Sequence, residues 1–171
     1  MKKNILFFLL LAGVSIVHAQ ENVSPTDSFT VTGDIKKPVT FYFNRLDTFK
    51  SKSLNDVTTL NHMGQVRSVI KNVKGVLLKD VLNSIELIAP KPKDLSSYYI
   101  ECIATDGYKV IFSRNEIFNT ANGDNTYIIT EKDGKKGKDI DDRIAILIMF
   151  SPGRGHAYMK GVKEVVFKTV K

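Results

Sequence analysis

The chain reads as an α+β protein, a single domain of mixed β-sheet layers with about three short helices. Three observations predict this. Apolar and polar residues alternate along several short stretches, the period of a half-buried strand. One stretch instead has the one-face spacing of a helix laid on a sheet, with Leu77, Leu78, Val81, Leu82 and Ile85 apolar. The run Ile144-Ala145-Ile146-Leu147-Ile148-Met149-Phe150 is continuously apolar, as expected of a central strand buried on both faces.

The elements follow in order. Residues 28–35 (SFTVTGDI) alternate and predict a strand, and residues 39–43 a second short extended piece after Lys36-Lys37-Pro38. Leu46 and Phe49 stand at i and i+3, which predicts a short helical turn over residues 46–49. Residues 55–62 and 65–70 read as a hairpin around Met63-Gly64, glycine supplying a positive φ at low cost. A tight glycine turn at Val73-Lys74-Gly75-Val76 then leads to the amphipathic helix, which Pro90 and Pro92 end. Residues 97–104 form a strand. Thr105-Asp106-Gly107 turns the chain into residues 108–112, with Tyr108 packed beside the turn. Ser113 with Glu116 three residues on predicts a capped helix start that packs Ile117 and Phe118 inward. Residues 127–130 and 162–170 complete the strands, and residues 132–138 are a charged excursion.

The start of the chain reads as an address. Lys2 and Lys3 precede an apolar run from Ile5 to Val17, and small or apolar residues stand at Val17 and Ala19. This is the pattern of a signal peptide over residues 1–19, and the run is shorter than the ~18–20 residues that span a bilayer. The expectation is a secreted or periplasmic protein with no integral membrane span. Cleavage after Ala19 removes nineteen of the 171 residues and leaves 152, a flexible arm at residues 20–27 and one domain at 28–171. The formal charge of +7 falls to +5 without Lys2 and Lys3. The lysines are scattered and no aromatic residues interleave with a basic stripe, so nucleic acid is not an expected partner. Cys102 is the single cysteine, so no internal disulfide is available. It reads as a small hydrophobe on a strand, with a reactive thiol or metal ligand as the alternative.

The chemistry-bearing candidates lie in loops. His62 sits at a hairpin tip and His156 in a Gly-Arg-Gly-His loop. Such histidines bind metal or carry protons, or they are plain surface residues. Arg154 stands between Gly153 and Gly155, where backbone amides and a guanidinium can grip an anion, or where the chain simply turns tightly. Asp139, Asp141 and Asp142 lack the glycine and glutamate of a calcium loop and read as a solvated cluster.

Four motifs carry a family resemblance. Val31-Thr32-Gly33-Asp34-Ile35-Lys36-Lys37-Pro38 is similar to a G-x-V-x-x-P opening strand. Val73-Lys74-Gly75-Val76-Leu77-Leu78-Lys79-Asp80-Val81-Leu82 is similar to W-x-G-V-x-L-x-D-L-L, Asp106-Gly107-Tyr108 to a D-G-Y hairpin, and Tyr158-Met159-Lys160-Gly161-Val162 to a closing V-K-W-L-x-x-I. In this order they resemble the molybdopterin-binding domain of the sulfite-oxidase-fold family, over roughly residues 29–167. The resemblance implies that fold, with a pterin contact at Lys160. It also implies a metal-binding cysteine near Leu60-Asn61-His62-Met63-Gly64-Gln65, and that segment has none. Val73 and Gly161 stand where the family has tryptophan. A high-valent metal in that setting takes a soft thiolate ligand.

Asn61, His62, Arg154, His156 and Lys160 are therefore the cofactor- or ligand-binding candidates. No catalytic residue and no metal ligand is assigned. The expected function is an exported binding module, resembling a molybdopterin-binding oxidoreductase domain but without molybdenum chemistry, that takes a small anionic ligand or a partner protein. The alternatives are a molybdopterin-dependent oxidoreductase with altered metal ligation, and a solute-binding or adhesive surface protein with no pocket chemistry.

Overall fold

Two β-sheets pack face to face in the computed structural model, which describes residues 23–61, 63–89, 91–149 and 157–170. The elements are β1 (Ser28–Gly33), β2 (Val39–Tyr42), α1 (Phe43–Leu46), β3 (Ser51–Leu60), β4 (Val66–Leu77), α2 (Leu78–Leu82) and β5 (Tyr98–Ala104). They continue with β6 (Lys109–Ser113), α3 (Arg114–Asn119), β7 (Thr126–Lys132), β8 (Lys135–Lys136), β9 (Ile146–Ile148), β10 (Ala157–Met159) and β11 (Val162–Thr169). The sheet-rich architecture with few short helices fits the α+β expectation. Among the described residues no helix is long and apolar enough to cross a membrane.

The first sheet runs β2-β1-β11-β5-β6. β1 lies parallel to β11, Thr30 opposite Glu164, and the other pairs are antiparallel. The second sheet runs β10-β9-β7-β4-β3, with β8 folded onto β7. It coils until β10 comes alongside β3. Side chains on a strand alternate between faces. Val76, Ile128, Ile146 and Ile148 accordingly face the first sheet and the short helices in the main core. Val73, Tyr127, Ile129 and Leu147 point the other way, into a smaller core inside the coil.

Several sequence expectations are met in place. β1, β5, β6, β7 and β11 fall within a residue or two of where the sequence predicts strands. Ser113 caps α3, its Oγ accepting from the Glu116 amide at 3.0 Å, and Ile117 is buried. Gly107 takes φ 85° in the β5–β6 turn. Cys102 is fully buried on β5, and burial pushes its thiol up to about 12.

Others are corrected. Val73-Lys74-Gly75-Val76 is not a turn but the continuation of β4, pairing with both β3 and β7. Gly75 is needed for close packing instead: a Cβ there would stand 2.8 Å from the Ile128 carbonyl oxygen. The helix that follows is a single turn, starting at Leu78 because Leu77 belongs to the strand and ending at Leu82, before the prolines; Ile85 is buried beyond the helix end. Pro90 lies outside the described residues. The turn expected over residues 46–49 is present, the Phe49 amide donating to the Leu46 carbonyl at 3.1 Å with both side chains inward, and it continues the short helix α1 that begins at Phe43. The buried run from Ile144 forms β9, next to the edge, and the middle of the sheet is β7. Tyr108 is 56% exposed rather than packed.

Candidate functional site

Two of the five predicted site residues belong to the described structure; His62, Arg154 and His156 lie outside the described residues. Asn61 closes the β3–β4 hairpin. Its Oδ1 accepts from the amides of Met63 (2.9 Å) and Gln65 (3.0 Å), and its Nδ2 donates to Gln65 Oε1 (3.0 Å). These bonds are those of an Asx turn, so the side chain is occupied in holding the tip of the hairpin.

Lys160 follows β10 and belongs to a charged cluster. Its Nζ lies 3.0 Å from Asp142 Oδ1 and is 42% exposed. Asp142 also pairs with the buried Lys132, and its Oδ2 accepts from the Tyr158 hydroxyl at 3.1 Å. Both ammonium groups lie over the Tyr158 ring, at 5.3 and 5.9 Å. Burial disfavours the Asp142 charge, but the bonds from Lys132 and Lys160 outweigh it and hold the carboxyl below its usual range. Burial, then the Asp142 charge, pushes the Tyr158 phenol up. Tyr158 therefore stays protonated and donates; it is no general base. Asp142 was expected in a solvated cluster, yet it is the partly buried anion of this group, while Asp141 remains an exposed partner of Lys135.

These groups do not suit the cofactor that the motif resemblance implies. The segment before β4 offers no thiolate, and the thiol of Cys102 is shut inside the core. Where the closing motif of that family has tryptophan, Gly161 takes φ 57°, and a Cβ would stand 2.6 Å from Val23 Cγ1 and 2.7 Å from the Ser24 carbonyl oxygen. No side chain fits there. Among the described residues no cluster of His, Cys, Asp and Glu is placed to hold a metal ion.

Two cavities lie elsewhere, and neither is lined by Asn61 or Lys160. One, of about 250 Å³, sits beside α1, where Lys74 and Lys136 both pair with Glu131 (3.0 and 3.5 Å). The other, of about 330 Å³, lies beneath the segment after α2, between the Pro92–Ser97 turn and α3. Most of its lining residues are aliphatic or aromatic, with Leu82, Ile85, Leu95 and Phe118 on the sides and the buried Phe167 of β11 below, while Asn83, Lys91 and Arg114 add polar surface. Lys91 and Arg114 are its charged lining residues. Arg114 lies 4.6 Å over the Phe118 ring, and its Nε is buried with no hydrogen-bond partner among the described residues. Burial lowers its pKa. Arg114 was not among the sequence candidates. The available signal was an arginine at a capped helix start with an aromatic residue four positions on, the spacing at which the two meet.

No protein-family model matches the chain. No curated protein matches it either. Among solved structures it is similar to the sulfane dehydrogenase SoxCD from Paracoccus pantotrophus, with 15% identity and a TM-score of 0.56. The fold is related. The match covers 82% of this chain but 38% of that one, so the chain spans well under half the length of its structural neighbour. At this identity the likeness concerns fold alone.

Proposed function

We propose that the protein is an exported binding module on a fold related to that of a redox enzyme, that it has no molybdenum chemistry, and that it takes a small anionic ligand or a partner protein. Export rests on the basic, apolar and small-residue pattern of residues 1–19. The related fold of a sulfane dehydrogenase and the order of the four motifs support the kinship. The observation that carries the loss of redox chemistry is the single thiol. Cys102 is buried in the main core with its pKa raised, where it supplies no thiolate to a metal.

The test is a molybdenum assay, with pterin fluorescence, on protein isolated from its native host. The expected result is no metal and no pterin; near-stoichiometric molybdenum overturns the reading. The intact mass of the exported protein checks the other half, with cleavage after Ala19 expected and a retained Met1 excluding it.

A further inference from the structure

We infer that the cavity between α2 and α3 is a binding site for an apolar monocarboxylate, with Arg114 as its anchor. The inference deepens the anionic-ligand half of the proposed function and rests on that reading. Three features support it. First, the space is of ligand size, about 330 Å³, and its walls are made largely of aliphatic and aromatic side chains. Second, both charged residues of the lining, Lys91 and Arg114, are cationic, and no carboxylate lines the cavity among the described residues. The nearby Asp94 is engaged in its own turn, its Oδ2 accepting from the Lys91 amide at 3.0 Å. Third, Arg114 borders the cavity and its Nε has no hydrogen-bond partner among the described residues, so no carboxylate of the chain occupies that edge of the guanidinium there.

The guanidinium is also held in place. It rests on the Phe118 ring, and its backbone opens a helix capped by Ser113. Little side-chain freedom is left to lose on binding, the condition under which one polar anchor is most effective. A planar guanidinium presents parallel donors that match a carboxylate bidentately. One such anchor beside mostly aliphatic and aromatic lining residues suits a monoanion with a hydrocarbon body. A phosphate dianion needs several converging donors, and among the described residues the lining adds only the side chains of Lys91 and Asn83.

The experiment is calorimetric titration of the mature protein with octanoate, octanol and acetate. The expected result is saturable one-site binding of octanoate, with octanol at least tenfold weaker and acetate not saturating. Arg114→Met should reduce octanoate to the octanol level and leave octanol unchanged. Leu95→Trp, which narrows the space without touching the charge, should weaken both. Octanol binding as tightly as octanoate, undiminished octanoate affinity in R114M, undiminished binding in L95W, or no saturable octanoate binding overturns the inference. If circular dichroism shows R114M unfolded, the octanoate-to-octanol ratio of the unaltered chain decides. The molybdenum assay is independent of this titration, so metal in a protein that still binds octanoate sinks the non-redox reading alone.

Discussion

Two basic sites show opposite treatment of a partly buried positive charge. Around Asp142, Lys132 and Lys160 are both paired with the same carboxylate, and the Tyr158 hydroxyl donates to it as well. At α3, Arg114 has an aromatic face to lie on and a cavity in front of it, but no anion among the described residues. The first site is complete within the chain and serves packing inside the coiled sheet. The second is incomplete, and an incomplete buried polar site is where a ligand has something to gain.

The contrast predicts opposite responses to mutation. Asp142→Ala should cause the largest loss, ~3–5 kcal/mol, because it leaves the buried Lys132 without a counter-charge; urea unfolding followed by circular dichroism measures it. A loss below 1 kcal/mol would mean that the cluster is not the closed unit described. Acid should act on the same group more gently. The Asp142 carboxyl is held below its usual range, so its contribution is fully present above the unfolded-state value near ~4 and is lost as pH falls through the lower folded value. Glu101, bonded to Lys109 (2.8 Å) and Lys168 (2.5 Å), shifts in the same direction and adds to the slope. Melting temperatures from pH 6 down to 2 should fall, and Asp142→Asn should flatten that fall.

Arg114→Met should keep or raise stability, by ~1 kcal/mol, since it removes an unsatisfied buried donor and retains the apolar stem. A large loss would show that the guanidinium has a structural duty and would collapse the comparison. Lys160→Ala should have the smallest effect, ~0.2–1 kcal/mol, as expected of a half-exposed partner. The same unfolding experiment ranks all of these variants.

Much of the fold was legible because its signals are local. Alternation marked β1 and β11, Asp106-Gly107 marked the β5–β6 turn, and Ser113 marked the start of α3. What escaped depends on partners distant in the chain. The glycine of Val73-Lys74-Gly75-Val76 reads as a turn until β7 lies beside it and the Ile128 carbonyl leaves no room for a Cβ. The helical period loses its first residue, Leu77, to the same strand pairing. Asp142 reads as solvated because nothing nearby in sequence reveals that Lys132 is folded against it from β7. The site was less legible still. Its sequence candidates were loop residues chosen by motif, whereas the cavity is assembled from α2, α3, β11 and the segment between Leu82 and Leu95.

The parallel pairing of β1 with β11 sets an order of events in time. Thr30 lies opposite Glu164, so the centre of the first sheet closes only when the last strand has been made. Until then β1 has β2 alone, and β5 has β6 alone, as hairpins too small to persist in water. Contacts this distant along the chain slow folding, because the intervening loop must be closed before they form. The first sheet should thus stay open and sensitive to protease until residues 162–169 insert between β1 and β5.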